Sequence, residues 1–226
     1  MPVARGPWAL DSGGFTELSM FGEWRTSLTE YVEDVYRCRD EIGHLEWAAP
    51  QDWMCEPHII EKTGQSVAAH QHHTTQNYLD LRAAAPDLPF VPVLQGWTYA
   101  DYVAHAELYA SAGVDLPSLW LVGIGSVCRR QQTQGGREVI QHFARRSVRL
   151  HAFGLKLNGL RECAWMLSSS DSLAWSYRAR RAGTPMLASC THRACSNCMP
   201  YALKWREQVL RTTSIQQPDL GLEVCA

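Results

Sequence analysis

The feature that most narrows the fold is an alternation of six short apolar runs with amphipathic stretches, each run closing on small or polar residues. The runs fall at 7–10, 45–49, 90–94, 119–122, 149–153 and, more weakly, 166–169. They close on ALDSGG, WAAPQD, PVLQG, LVGIGS, HAFGLK and SSSDS. Between them, residues 29–41, 67–84, 99–112, 136–146 and 158–167 repeat apolar side chains at helical spacing, as Tyr31, Val35 and Cys38 do. Strands that alternate with helices pair in parallel, as a barrel or a doubly wound sheet. A doubly wound sheet concentrates a glycine fingerprint after its first strand. Here Gly123 and Gly125 form a lone pair after the fourth run, a weak signal of that kind. A barrel instead collects its chemistry at the C-terminal ends of many strands. The expected fold is therefore α/β, a (β/α)8 TIM-type barrel. Six runs are legible where a closed barrel has eight strands. Because the first run begins almost at Met1, the expectation includes a wall lacking its first strand.

A chain of 226 residues suits one domain, expected over 1–212, with 213–226 as a loosely ordered tail. An apolar content of 46% with 19% charged residues is that of an ordinary soluble globule. No apolar run approaches the roughly 18 residues of a membrane span. The opening MPVARGPWALDSGG has no apolar signal core, so a cytoplasmic location is expected. Net charge is only −2, but its distribution is uneven: residues 128–212 hold fifteen Lys/Arg against four Asp/Glu, and the rest six against nineteen. Such asymmetry hints at nucleic-acid contact; the other reading is that the two parts pair with each other across the fold.

Five of the eight cysteines (Cys38, Cys55, Cys128, Cys163 and Cys225) are scattered singly through a chain too large to need disulfide staples. The other three crowd around a histidine in Cys190-Thr-His192-Arg-Ala-Cys195-Ser-Asn-Cys198. Four soft or borderline donors in so short a span suit a tetrahedral structural zinc with no open position, within a small segment at 190–198. A redox Cys-x-x-Cys, or reduced thiols at a helix start, are the other readings.

Asp11-Ser12-Gly13-Gly14-Phe15 at the end of the first run resembles the signature of tRNA-guanine transglycosylases. The chain as a whole is more similar to their DNA-acting relatives, the DpdA-type DNA-guanine transglycosylases. The similarity extends over residues 8–206, and its most specific parts are LDSGGF, APQDWMCE, PVLQGW, LVGIGSVCRR and SSDSLAWSYRARR. The resemblance implies a (β/α)8 barrel with zinc and an exchange of guanine in DNA for a 7-deazaguanine such as the 7-cyano form. That base would be the co-substrate, passed through an aspartyl-linked glycosyl intermediate. Transglycosylation on tRNA is one alternative, and a non-catalytic nucleic-acid-binding remnant of the barrel is another. Because the tRNA enzymes commonly form homodimers, a homodimer or accessory DNA-modification proteins are candidate partners; no membrane contact is expected.

By motif, Asp11 resembles the family's general acid/base and Asp171 its nucleophile. Ser12, Gly13 and Gly14 complete the first motif, and Phe15 resembles the aromatic partner on which the base stacks. Asp52 stands where the polar edge of guanine is read, Gln95 and Gly96 resemble the base-recognition pair, and Gly123 and Gly125 the glycine loop over the pocket. In the family the zinc motif is Cys-x-Cys-x2-Cys with a distant His; here His192 stands at the middle cysteine's place and Cys198 would be the fourth ligand, beside Cys190 and Cys195. Arg129, Arg130, Arg178, Arg180 and Arg181 would grip phosphates, giving affinity without sequence information. Without the resemblance, Asp11 also reads as a turn residue and Asp171 as a helix N-cap. Two carboxyls held apart in pKa can share the nucleophile and acid/base roles at a glycosidic bond, which is why this pair matters most.

Overall fold

The computed structural model describes residues 1–127 and 134–214. Strand β1 (Trp8–Leu10) pairs in parallel with β2 (Leu45–Ala48). Strands β3 (Val93–Leu94), β4 (Val122–Ile124), β5 (Leu150–Ala152) and β6 (Ser169–Ser170) pair in parallel in that order. The two sets are joined just before β3, where Ala48 bridges Phe90. There the Ala48 N–H donates to Pro89 O and the Val91 N–H to Ala48 O, both at 3.1 Å. Parallel strands thus lie side by side in chain order, which is the order of a barrel wall. Among the described residues the wall has six strands, so the closed eight-stranded barrel expected from the sequence is not seen. What is seen is a mixed α/β fold with parallel sheets.

The helices follow the strands as the crossover rule requires. They are α1 (Gly14–Phe21), α2 (Leu28–Ile42), α3 (Pro57–Thr63), α4 (Val67–Ala84), α5 (Tyr99–Ser111), α6 (Gln134–Ala144), α7 (Leu157–Cys163), α8 (Ala174–Ala182) and α9 (Met199–Ser214). Local chemistry starts two of them sharply: Ser27 with Glu30 caps α2, and Thr98 with Asp101 caps α5. Helix α9 runs through Thr213 and Ser214, two residues beyond the boundary expected for the tail.

Leu94, Ile124 and Leu150 are fully buried between wall and helices with Val35, Leu81, Tyr102 and Tyr109. Each such side chain contributes roughly 1.5–3 kcal/mol. A second cluster, Trp47, Ala49, Val91, Val93 and Leu121 with Phe153, comes from the strands and their flanks. Trp47 meets the His151 ring edge-on at 4.6 Å, and His151 meets Phe153 at 4.7 Å.

Two strands lie later than the apolar runs suggest. The run at 119–122 begins directly after a 3-10 turn at Leu116–Ser118, and pairing starts only at Val122 with β5 and at Gly123 with β3, so β4 takes in Gly123 and Ile124. The run at 166–169 is likewise delayed by a 3-10 turn at Ala164–Met166, leaving β6 at Ser169–Ser170.

Candidate active site and metal centre

The C-terminal ends of the strands enclose a cavity of about 310 Å³, near the lower end of the range for small-molecule sites. It is lined by Asp11 and Gly14 after β1, Asp52, Met54 and Glu56 after β2, Gln95 after β3, Gly125 and Ser126 after β4, Phe153 and Gly154 after β5, and Asp171 after β6; Phe15 of α1 is at its rim. Of the residues singled out from the sequence, Asp11, Gly14, Phe15, Asp52, Gln95, Gly125 and Asp171 line this cavity, whereas Ser12, Gly13, Gly96 and Gly123 are not among its lining residues. Phe15 is 51% exposed, and its ring lies 6.5 Å from that of His58.

Asp52 is the best-held carboxylate. Its Oδ1 accepts from Ser12 Oγ at 2.8 Å and its Oδ2 from Gln95 Nε2 at 2.5 Å. Burial, then the charge of Asp11, pushes it up to about 6 despite these two bonds. Gln95 is fixed as firmly along its backbone. Its N–H donates to His105 Nδ1 at 2.8 Å, and its carbonyl accepts from Gln71 Nε2 at 2.8 Å. His105 can accept because burial pushes its imidazole down to about 4, keeping it neutral.

The glycines are explained by close approach. A Cβ on Gly125 would lie 2.2 Å from Gln95 Nε2, and one on Gly123 would lie 2.6 Å from the Phe153 ring and 2.9 Å from Val93. Gly96 is pressed against the start of α5, where a Cβ would sit 2.9 Å from Asp101 Cβ. Gly13, with φ of 79°, provides the left-handed turn from β1 into α1.

Asp171 Oδ1 accepts the Gly154 N–H at 2.8 Å and lies 3.4 Å from His151 Nε2, a buried atom with no hydrogen-bond partner of good geometry among the described residues. Burial acts to raise Asp171, but His151 and the Gly154 N–H outweigh it and hold the carboxyl below its ordinary value. Asp11 moves the other way, raised first by burial and then by the charge of Asp171. Two carboxyls from opposite ends of the chain thus face one cavity with their pKa values pushed apart, the arrangement that divides acid and nucleophile roles.

Sequence reasoning did not single out Met54, Glu56, Ser126, His151, Phe153 or Gly154. Glu56 and Ser126 stood within APQDWMCE and LVGIGS, but no spacing rule marks a side chain that reaches a site by a left-handed turn, as Ser126 does at φ 55°. Arg178, Arg180 and Arg181 are exposed on α8, with Arg181 5.7 Å over the Tyr177 ring and Arg178 5.9 Å over Trp205. Arg129 and Arg130 lie outside the described residues.

Near the C-terminus, Cys190, His192, Cys195 and Cys198 bring their donor atoms within 4.8 Å of one another and could hold a metal ion. Cys190 and Cys198 Sγ are 3.6 Å apart, and Zn–S bonds of about 2.3 Å put tetrahedral sulfurs roughly 3.8 Å apart. Burial opposes ionisation of Cys195, yet the Met186 N–H and His192 bring it down to about 7. The donors and their spacing fit zinc. Around them Ala179 and Tyr201 pack with Trp175 and Trp205, a small core uniting α8, α9 and the cysteine loop.

Parallel strands in barrel order, with carboxylates gathered at their C-terminal ends around a small polar cavity, define an α/β protein of the strand-end-site class. More particularly, the chain belongs to the DpdA family, DeoxyPurine in DNA protein A, which matches residues 1–226. That family is tRNA-guanine transglycosylase-like and acts in DNA modification, so membership implies a guanine transglycosylase-like enzyme with DNA as substrate. None of the curated proteins compared matches the chain. Among the described residues, no helix is long and apolar enough to cross a membrane.

Proposed function

We propose that this protein exchanges guanine in DNA for a 7-deazaguanine base, of the 7-cyano kind, through an aspartyl-linked sugar. The observation that carries the reading is that Asp11 and Asp171, which begin and end the strand series, line the same cavity as Asp52 and Gln95.

In this reading a guanine turned out of the helix enters the cavity, since a base within a duplex cannot be reached. Asp52 accepts from N1–H and the 2-amino group, Gln95 Nε2 donates to O6, and Phe15 covers one face. The Asp171 oxygen not held by Gly154 attacks C1′ of the sugar. The C1′–N9 bond breaks as an ester bond to Asp171 forms, and Asp11 passes its proton to the departing base. The incoming deazaguanine then gives its N9 proton to Asp11, attacks C1′ and releases Asp171. Atoms and charges balance over the two steps, and both aspartates end as they began. The raised Asp11 and lowered Asp171 suit these roles. Arg178, Arg180 and Arg181, with Arg129 and Arg130, would bind phosphates. Zinc held by Cys190, His192, Cys195 and Cys198 would supply folding energy, not chemistry, because protein donors fill all four positions.

The test is incubation of the protein with DNA carrying labelled guanine and with 7-cyano-7-deazaguanine. Label release is expected from the wild type, and Asp171→Ala should abolish it; equal release by the two would refute the mechanism. The same assay on tRNA decides between the nucleic acids.

A further inference from the structure

In the wall of the cavity, Glu56, Ser126, Gln95 and Asp52 form one buried chain, at 3%, 5%, 1% and 8% exposure. Ser126 Oγ accepts the Cys55 N–H at 3.0 Å, and it also lies 2.7 Å from Glu56 Oε2 and 2.8 Å from Gln95 Oε1. A hydroxyl has one proton to donate, and here two acceptor oxygens stand within reach of it. With Asp52 and Glu56 both ionised, one of these short O···O contacts would hold no proton, and buried lone pairs would oppose each other.

One added proton completes the chain in either of two ways. Placed on Glu56, it donates to Ser126 Oγ; Ser126 then donates to Gln95 Oε1, and Gln95 Nε2 to ionised Asp52. Placed on Asp52, it donates to the oxygen of a reversed Gln95 amide, whose N–H donates to Ser126, which donates to ionised Glu56. The two forms differ by a half-turn of one amide. In the first, Gln95 offers an N–H and Asp52 a carboxylate, which matches the acceptor O6 and donor N1–H of guanine. In the second, Gln95 turns its oxygen toward O6 and the Asp52 proton is taken up by that same oxygen, so the pocket no longer matches guanine.

Building on the base-exchange reading, we infer that Asp52 and Glu56 hold a single proton between them through Gln95 and Ser126, and that its position sets whether the pocket reads guanine. Glu56 is then a positioning residue that selects the base through Ser126 and Gln95. The surrounding backbone packs closely on the amide. Gly125 leaves room for Gln95 only because it lacks a Cβ, and Ser126 is held in a backbone conformation that non-glycine residues rarely adopt. The ionisable groups around the chain include Asp11 and Asp171 across the cavity, Cys55, Asp101 and Tyr31 near its carboxyls, His105 on the Gln95 backbone, Tyr102 on the Gly125 carbonyl and His70 against the Met54 carbonyl. Burial, with Glu56 next, pushes the Cys55 thiol up, so it remains neutral. The raised pKa of Asp52 agrees with a carboxyl that accepts the shared proton readily.

The test has two readouts. In infrared spectra of the base-free protein at neutral pH, the wild type minus Glu56→Gln difference should contain the C=O stretch of one buried carboxylic acid, Asp11 cancelling between them. In base exchange, the wild-type KM for the incoming base should rise roughly tenfold or more as alkali removes the proton, because one contact then lacks a proton whichever way the amide points and the Gln95 N–H is no longer held toward O6. Glu56→Gln, whose amide donates to Ser126 at any pH, should hold KM level over the same range. No acid band in the difference spectrum, a KM that follows pH alike in both proteins, or one raised equally at every pH in the variant would overturn the inference. If the wild type exchanges no base at any pH, the function proposed above fails, and the infrared spectra still decide the proton count.

Discussion

At the floor of the cavity Asp52 carries a stability cost whose sign can be worked out. Its carboxyl is pushed up to about 6 from an ordinary 3.8. Below pH 3.8 it is protonated in folded and unfolded chains alike, and no penalty exists. Between the two values the unfolded chain loses its proton first. Above about 6 the full two units apply, or about 3 kcal/mol against the fold. Asp52→Asn is therefore expected to raise Tm at pH 7–8, by roughly 6–12 °C for a chain of this size, with the gain vanishing near pH 4, while base affinity falls. Thermal melts at both pH values check this; an equal gain at pH 4 would assign the effect to packing. Asp171 has the opposite sign, since its ionised form is favoured in the fold, and Asp171→Asn should lower Tm slightly above pH 4 while reducing exchange at least roughly a thousandfold. Gly125→Ala should displace Gln95, because the added Cβ would lie 2.2 Å from its Nε2, raising the KM for the base tenfold or more by order of magnitude. Steady-state kinetics reads both.

Among the elements, the sharpest test concerns α8 and α9. They share a small core with the cysteine loop, and Ser176 Oγ on α8 donates to Ser196 O in that loop at 2.6 Å. A segment whose own apolar core is this small depends on its staple. Metal analysis is expected to find about one zinc per chain by the four-donor geometry. Cys195→Ser or chelation should abolish it and open α8 and α9 to protease well before the wall of strands unfolds. Retained protection after zinc loss would show that the aromatic packing suffices. Helices α1 and α3, like α8 and α9, did not stand out in the sequence. Helix α1 is short and enters from a left-handed glycine with no side-chain cap. Helix α3 did carry a readable signal, Pro57 at its first turn and Gly64 at its end with φ of 67°. Position also moved: Gly123 looked like loop glycine but belongs to β4, where Phe153 and Val93 leave no room for a side chain.

For the whole molecule, the uneven charge makes a measurable statement about DNA. Arg178, Arg180 and Arg181 are exposed together on α8, which directly follows the loop bearing Asp171. If each contacts a phosphate, removing all three should weaken binding on every sequence alike. It should also flatten the slope of log K against log salt by about 0.9 per contact on duplex DNA, or about 0.7 on a single strand. Fluorescence anisotropy across a salt series measures this. An unchanged slope would place DNA elsewhere on the surface.

Much of this was legible along the chain because it depends on neighbours in sequence. The β–α alternation, the small or polar strand endings and the four-donor cysteine run are all local patterns, and they pointed to a parallel α/β fold, a strand-end site and a metal segment. Asp11, Asp52, Gln95 and Asp171 were likewise found at the ends of predicted strands. The part Glu56, Ser126 and His151 take in the site was not legible. Burial, proton sharing and lining of a cavity arise between residues such as Glu56 and Ser126, 70 positions apart, and become definite only once folding has brought them within hydrogen-bond reach.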